Sequence, residues 1–137
     1  RAAGVDVIVV DTSALVAILM DEPDAADLED ALIDAAGGLM SAGTLIEIQV
    51  VLFRKLAAHL LEPLDAYLDR AGISIVAVSE GQARLSREAF REYGQRSGHP
   101  AALNFGDCFP YALAKERGLP LLFKGRDFAR TDIIPAV

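Results

Sequence analysis

The sequence predicts an α/β fold of three layers, in which helices cover both faces of a central parallel sheet of about four or five strands. Short aliphatic runs alternate with longer segments of helical periodicity along the 137 residues. The links between these segments are short, and a strand–helix alternation with short links is typical of a parallel sheet. With 53% hydrophobic residues and a mean hydropathy of +0.32, the chain has enough apolar side chains for a buried core.

Two strands and two helices are predicted in the first part of the chain. Four consecutive aliphatic residues at 7–10 predict the first strand, and a short apolar helix follows at 13–20. The segment 24–36 is amphipathic, with leucines and alanines on one face and aspartates on the other, and this pattern predicts a second helix. A pair of glycines ends that helix, and a short strand is predicted at 39–40.

The middle of the chain is predicted to be mostly helical. Residues 44–60 are apolar almost all round, which indicates a helix that is central or lies at a subunit interface. A proline at a helix start precedes the helix predicted at 64–71. Alternating β-branched residues at 73–78 predict the third strand. The capping box Ser-x-x-Gln then opens a helix predicted at 79–95.

The last part of the chain is predicted to return to the sheet. A loop at 97–102 leads to a helix at 106–117, and Gly118 ends that helix. The last two strands are predicted at 121–123 and 132–134.

Size and composition exclude several classes of protein. We expect a single domain over 1–137, with residues 1–6 as a disordered or foreign N-terminal end. The sequence contains neither an apolar run long enough for a membrane span nor a signal-peptide pattern. Cys108 is the only cysteine, which excludes an internal disulfide and a cysteine-based zinc site. This composition favours a reducing, cytoplasmic location.

The charge is distributed unevenly along the chain. The net charge is −7, which by itself disfavours a nucleic-acid partner. Residues 1–80 carry 14 acids and 4 bases, whereas residues 81–137 carry 6 acids and 9 bases. The C-terminal part therefore has a net charge of +3 and is suited to face an anion, although solvated helix faces explain the same balance.

Four acidic residues lie within or directly after apolar sequence, unlike the other acids, which lie on polar helix faces. They are Asp11, Glu47, Asp107 and Asp127. Each has an ordinary explanation when it is taken alone. Asp11 and Asp127 could cap the helices that follow them, Glu47 could close a capping box with Thr44, and Asp107 suits the first turn of a helix.

Taken together, the four acids favour a metal site. Each is predicted at a strand C-terminus or a helix N-terminus, and in a parallel sheet those ends share one edge. Carboxylates gathered at one edge repel each other unless a cation lies between them. Neither His59 nor His99 has metal-ligand spacing, and oxygen ligands without histidine or cysteine select Mg²⁺ or Mn²⁺. Such a metal suits phosphodiester hydrolysis, since it activates water and screens the phosphate.

The same residues carry a resemblance to a known family. The stretches VVDTSALVAIL, LNFGDCFPYALAKERGLPLLFKG and DFARTDI, together with Glu47, resemble the PIN-domain ribonucleases, and in particular the VapC toxins of bacterial VapBC toxin–antitoxin modules. The similarity extends from Val7 to Ile133. It implies a PIN-domain-like fold and a metal-dependent endoribonuclease that cleaves structured RNA such as tRNA or rRNA. It also implies a homodimer and inhibition by a cognate VapB-type antitoxin.

The resemblance assigns roles to individual residues. Asp11, Glu47, Asp107 and Asp127 match the acidic positions of the family, as ligands of Mg²⁺ or Mn²⁺ and as catalytic groups. Three polar residues match site-supporting positions, and they are Thr12, Ser13 and Asn104. Basic residues late in the chain are candidates for contact with RNA phosphates, above all Lys124, Arg126 and Arg130, with positions 84, 87, 91, 115 and 117 as further candidates. Residues 44–60 and Leu15 to Met20 are candidates for dimer or antitoxin contact, or for core packing.

Two positions depart from the family pattern. Arg126 stands where many relatives have an acid before the Asp-Phe pair, which leaves the role of Asp127 open. Pro110 costs little if the helix after Asp107 begins close to that residue, and it kinks the helix if the helix begins near Asn104.

Other functions compete with a ribonuclease at this stage. A phosphotransfer domain, receiver-like or haloacid-dehalogenase-like, also places an aspartate after the first strand. A haloacid-dehalogenase-like domain needs Asp-x-Asp, but residue 13 is Ser. A receiver-like domain needs an early acidic pair, which is missing, although Lys124 could stand for its late lysine. An inactive PIN-like interaction module would have no reason to keep four mutually repulsive acids. Dinucleotide-binding and P-loop functions are excluded, since neither glycine motif occurs.

Overall fold

The computed structural model describes residues 6–137, so that the expectation for residues 1–5 lies outside the described part of the chain. Over residues 6–137 the chain forms one four-stranded parallel sheet in the order β3-β2-β1-β4. The strands are β1 (Val7–Val10), β2 (Gly37–Ser41), β3 (Ile73–Val76) and β4 (Leu121–Leu122). The six α-helices are α1 (Thr12–Leu19), α2 (Ala25–Asp34), α3 (Ala42–Arg54), α4 (Leu61–Arg70), α5 (Glu80–Tyr93) and α6 (Cys108–Arg117).

Strand β1 separates two apolar cores, which explains its uninterrupted aliphatic sequence. Ile8 and Val10 pack into one core with side chains of α1–α4. Val9 points to the opposite face and packs into a second core with side chains of α5 and α6. Alternate residues of a strand face opposite sides of a sheet, so a central parallel strand must be apolar at every position. The predicted three-layer α/β architecture is therefore confirmed, with four strands.

The helix predicted at 44–60 is shorter than expected, because α3 begins at Ala42 and ends at Arg54. Leu56 adopts a left-handed backbone conformation with a φ of 55°. The amide of Ala57 donates to the Leu52 carbonyl at 2.8 Å, and the amide of Leu56 donates to the Phe53 carbonyl at 3.1 Å. This is a Schellman termination, and it was invisible in the sequence because glycine normally occupies the left-handed position. A separate 3₁₀ turn, Ala58–Leu60, leads into α4.

Two further predictions at strands were wrong in detail. The strand predicted at 132–134 is reduced to an isolated bridge between Leu121 and Pro135, in which the Leu121 amide donates to the Ile134 carbonyl at 2.9 Å. The glycine pair after α2 belongs to β2 rather than to a helix end. Gly38 is needed there because a Cβ at this position would lie only 2.9 Å from the side chain of Ile73 on β3. None of the helices in the described part of the chain is long and apolar enough to cross a membrane.

Candidate active site

Three of the four predicted acids line one cleft at the carboxyl end of the sheet. Asp11 directly follows β1, Glu47 lies on α3, and Asp107 directly precedes α6. The cleft has a volume of about 440 Å³. The other residues in its wall are Thr12, Ser13, Val16, Glu22, Val51, Lys55, Lys124 and Gly125. The parallel sheet therefore delivers acids from distant parts of the sequence to one opening.

Asp11 caps α1 with only one of its two carboxylate oxygens. Its Oδ2 accepts from the backbone amide of Ser13 at 3.0 Å and from the Ser13 hydroxyl at 2.6 Å. Its Oδ1 is buried and has no hydrogen-bond partner among the described residues. A buried carboxylate oxygen without a partner costs free energy. Helix capping therefore explains one oxygen of Asp11 and leaves the other available to a ligand.

Glu47 does not fold back onto the start of its own helix, which was the ordinary explanation for it. The cap of α3 is Ser41, whose hydroxyl oxygen accepts from the Gly43 amide at 3.1 Å. The Thr12 hydroxyl instead donates to Oε1 of Glu47 at 2.6 Å. Thr12, the residue directly after Asp11, thus links the start of α1 to Glu47, and it holds the carboxylate of Glu47 at the cleft.

Asp107 and Asn104 hold each other in place before α6. The backbone amide of Asn104 donates to Oδ2 of Asp107 at 3.0 Å, and the amide of Asp107 donates to Oδ1 of Asn104 at 3.0 Å. This reciprocal pair fixes the turn that presents Asp107. Since α6 begins at Cys108, Pro110 falls in its first turn, where the missing amide costs little. The helix carrying the site is therefore not broken by the proline.

Burial, together with the charges of neighbouring acids, raises the pKa values of Asp11 and Asp107. Burial is the main cause that raises the pKa of Asp11 to about 6, and the charge of Glu47 adds to it. Burial likewise raises the pKa of Asp107 to about 7, with further contributions from the charges of Asp11, Asp127 and Glu47. Only 4% of Asp11 and 9% of Asp107 are exposed, so water compensates little of this repulsion.

Asp127 is placed differently from the other three acids. It is exposed, lies just before the 3₁₀ turn Phe128–Arg130, and makes no capping hydrogen bond to that turn. It does not line the cleft, although its charge contributes to the raised pKa of Asp107. Within residues 6–137 the neighbouring Arg126 forms no ion pair, so it does not neutralise Asp127.

The donor set of the cleft is suited to a hard divalent cation, although the side chains do not form a ready-made cage. Over the described range, no three Asp, Glu, His or Cys side chains are grouped closely enough to hold a metal ion as they stand. The donors nevertheless fit a divalent cation. Asp11 contributes a buried oxygen without a partner, and the charged form of Asp107 is destabilised by burial and by its acidic neighbours. An all-oxygen set of this kind selects Mg²⁺ or Mn²⁺ over zinc.

Lys124 is paired with acids rather than free for a ligand. Its Nζ lies 2.6 Å from Oε1 of Glu22 and 3.1 Å from Oδ1 of Asp24. Its backbone amide donates to the Ser13 hydroxyl oxygen at 2.9 Å. Lys124 therefore ties the loop after β4 to the α1–α2 turn and to the cap of α1. Arg130 is exposed and, like Arg126, has no ion-pair partner in the described part of the chain.

Two residues of this region were missed in the sequence. Gly106 precedes Asp107, and a Cβ built there would overlap the carboxylate of Glu47. A glycine beside a predicted site acid is a signal of close backbone approach that was present in the sequence. Lys55 lines the cleft at the end of α3 and forms no ion pair within residues 6–137. Nothing in the sequence separated Lys55 from other surface lysines.

We expect Gly106→Ala to displace the carboxylate of Glu47 and to reduce the catalytic activity of this site by roughly tenfold, because a site group misplaced by about 1 Å can cost that much or more. The fold should survive, since Gly106 does not have the positive φ that would strain an alanine. Steady-state catalytic rates and thermal melting provide the test. Gly81→Ala, on an exposed position of α5, is the matched control and should keep full activity. Unchanged activity in Gly106→Ala would show that the position of Glu47 is unimportant.

Comparison with known proteins identifies the family. The PIN domain family model matches residues 8–134. Ribonuclease VapC28 of Mycobacterium tuberculosis is 46% identical over 125 residues, which are 91% of this chain and 94% of that protein. Ribonuclease VapC42 of the same species is 45% identical over 128 residues, covering 93% and 98% of the two chains. A ribonuclease VapC of Mycolicibacterium smegmatis is 49% identical over 91% of this chain and 96% of its own length.

Solved structures show the same fold at much lower sequence identity. M. tuberculosis VapC20, described as a toxin that cleaves the sarcin–ricin loop, superposes with a TM-score of 0.73 at 16% identity over 93% of this chain and 96% of its own. VapBC2 of Rickettsia felis, solved with a promoter DNA fragment, gives a TM-score of 0.72 at 19% identity over 94% of this chain and 96% of its own. Together with the family match over residues 8–134 and relatives of 45–49% identity, these findings show that the chain belongs to the PIN domain family, as a VapC-type ribonuclease toxin.

Proposed function

We propose that this ribonuclease cleaves structured RNA, such as tRNA or rRNA, with Mg²⁺ or Mn²⁺ held by Asp11, Glu47 and Asp107 within a single PIN domain. The observation that carries the proposal is the buried Oδ1 of Asp11. This oxygen has no hydrogen-bond partner among the described residues, and Asp11 lines the cleft. The raised pKa of Asp107, caused by burial and by the neighbouring acids, supports it. A cation would relieve both costs at once.

Each residue of the cleft has a distinct task in this mechanism. When bound, the metal would supply Lewis-acid stabilisation of the phosphate and activation of water. Asp11 and Asp107, with Glu47, would hold it, and backbone hydrogen bonds keep the carboxylates of Asp11 and Asp107 oriented before substrate arrives. Glu47, fixed by the Thr12 hydroxyl, is placed to orient the attacking water and accept its proton. Asp127 lies further out and acts on the site through its charge.

The partners of the chain follow from the same proposal. Two structural neighbours were solved as toxin–antitoxin assemblies, and we propose a cognate VapB-type antitoxin for this chain. We also propose a homodimer, with the exposed apolar side chains Phe53 and Leu56 at the end of α3 as contact candidates. Leu15 and its neighbours in α1 are buried in the core instead. We place the activity in the cytoplasm, where RNA substrates are found.

The ion pairs reduce the number of basic residues that are free to contact RNA phosphates. Arg126 and Arg130 remain candidates for contact with RNA phosphates, because both are exposed and neither is paired within the described residues. Lys124 would have to leave Glu22 and Asp24 before it could bind a phosphate. VapC20 is described as a toxin that cleaves the sarcin–ricin loop, and this supports structured RNA as the substrate class for our chain as well.

Removal of divalent metal tests the proposal directly. We expect the purified chain to cleave tRNA or rRNA in Mg²⁺, to lose this activity in EDTA, and to regain it when Mn²⁺ is added in excess. Cleavage is followed on labelled RNA by gel electrophoresis. Zinc should restore little activity, because the donors are all oxygens. Cleavage that continues undiminished in EDTA would contradict a metal-dependent mechanism.

A further inference from the structure

A second groove adjoins the carboxylate cleft and is not used by the mechanism above. It lies between α3 and the segment 104–109, has a volume of about 520 Å³, and is lined by Ile46, Val50, Arg54, Phe105 and Phe109 among others. We call it the flanking groove. Glu47 and Val51 line both the flanking groove and the cleft, so the two openings adjoin each other. A ligand bound in the cleft would therefore have the groove directly beside it.

Phe105 presents an aromatic face in the wall of the flanking groove. Its side chain is 78% exposed, although it is only two residues before Asp107. It is supported from one side by Phe109, in an edge-to-face contact with ring centroids 5.1 Å apart. The reciprocal hydrogen bonds between Asn104 and Asp107 fix the turn that carries Phe105. The ring is thus held in place while most of its surface is free to stack on a planar ligand.

Two cations lie beside this ring and the acids. Arg54 lines the flanking groove and Lys55 lines the cleft, and neither forms an ion pair with any residue in the described part of the chain. Cations at the C-terminal end of α3 interact favourably with the helix dipole. The dipole does not explain why Arg54 lies in the wall of the groove and Lys55 in the wall of the cleft. Lys124 differs from Lys55, because it lines the same cleft but is paired with two acids. Arg54 and Lys55 are therefore free to meet an anionic ligand.

We propose that the flanking groove binds one unpaired nucleobase of the RNA substrate next to the scissile phosphate. The base stacks on Phe105, and Arg54 and Lys55 contact the phosphates on either side of it. Stacking of bases on aromatic side chains is the common mode of single-stranded RNA binding, and cations along the backbone accompany it. The inference rests on the proposed function and adds a substrate feature to it, namely an RNA loop whose base can leave the helical stack.

The charges favour RNA over a protein as the occupant of the groove. An apolar protein segment would pack on Ile46 and Val50, but it would leave the cations at the adjoining walls without partners. A nucleotide can contact both the apolar lining and the cations, because its base is planar and apolar on its faces and its phosphates are anionic. Phe105 is also only two residues before Asp107 in the sequence, which keeps a base bound to its ring near the acids of the cleft.

Binding of an intact and an abasic RNA tests the proposal. The probes are a short single-stranded oligoribonucleotide with 2-aminopurine at a central position and a matched oligonucleotide without that base, both measured in Ca²⁺ to limit cleavage. We expect the wild type to bind the intact probe about tenfold more tightly and to quench its fluorescence on binding. Phe105→Leu should lose about tenfold in affinity for the intact probe only, whereas Phe105→Trp should keep it. Arg54→Gln should weaken binding of both probes.

The matched control is Phe90→Leu, which changes a 41% exposed phenylalanine on α5 that does not line the groove, and it should bind both probes normally. Equal affinity of the wild type for the two probes would overturn the proposal, and this comparison does not depend on any variant folding. A change in oligomeric state or antitoxin binding in Phe105→Leu, with RNA binding intact, would assign the groove to a protein and also overturn it.

The same data separate this inference from the proposed function. If the chain binds the intact probe more tightly than the abasic one but cleaves RNA equally well in EDTA, the metal site is contradicted and the base-binding groove is supported. Metal-dependent cleavage with unchanged kcat and KM in Phe105→Leu would contradict the groove and leave the metal site standing. An effect on KM with a smaller effect on kcat is the expected result, since the ring binds substrate and does not touch the reacting atoms.

Discussion

Asp11→Asn should reduce metal-dependent RNA cleavage by more than about 100-fold, because even residues that only support metal ligands commonly change activity by 10–100-fold. The substitution keeps an oxygen that can accept from the Ser13 amide and hydroxyl, so the cap of α1 should persist. It also removes a buried charge that repels Glu47 and Asp107. We therefore expect a folded protein that has lost catalysis, which cleavage assays and circular dichroism will measure together.

The control for this experiment is another aspartate that lies away from the cleft. Asp30 is exposed on α2, and Asp30→Asn should leave both activity and melting temperature unchanged. In EDTA the melting temperature of Asp11→Asn should be equal to or higher than that of the wild type, because repulsion has been relieved. If Asp11→Asn cleaved RNA as well as the wild type does, Asp11 could not be a metal ligand.

The metal-free protein should become less stable as the pH rises from 5 to 8. Burial raises the pKa of Asp11 to about 6 and that of Asp107 to about 7, against 3.8 for the unfolded chain. The folded state therefore binds protons that the unfolded state has already released, and stability is lost as the pH rises through the folded values. At roughly 1.4 kcal/mol per pKa unit, the loss in free energy of unfolding amounts to roughly 3–4 kcal/mol.

Denaturant unfolding in EDTA at several pH values measures this loss. Asp107→Asn keeps an acceptor for the Asn104 amide and removes the group with the larger shift, so it should be more stable than the wild type at pH 8 and should flatten the pH dependence. Mg²⁺ requires deprotonated carboxylates, and its stabilising effect should be greater at pH 8 than at pH 6. A wild-type stability that does not change between pH 5 and 8 in EDTA would show that the folded protein does not raise the pKa values of Asp11 and Asp107.

The layers of the fold could be predicted from the sequence because each depends on local periodicity. The aliphatic run before Asp11 specifies a strand buried on both faces, and the amphipathic pattern of α2 specifies a helix with one buried face. The end of α3 could not be predicted, because Leu56 adopts a backbone conformation that its own preference disfavours. The fifth strand was overestimated, because a bridge at Pro135 replaces the predicted ladder.

The sequence by itself determined which residues are chemically unusual, since an acid embedded in apolar sequence needs a partner wherever the chain places it. It also determined that Asp11 and Asp107 belong to strand and helix ends, and therefore to one edge of the sheet. Only the tertiary structure decided how those acids are held. The hydrogen bond from Thr12 to Glu47, the approach of Glu47 to Gly106, and the pairing of Lys124 with Glu22 join residues that are 35, 59 and 102 positions apart. Contacts over such separations depend on how the layers pack, and no local pattern in the sequence encodes them.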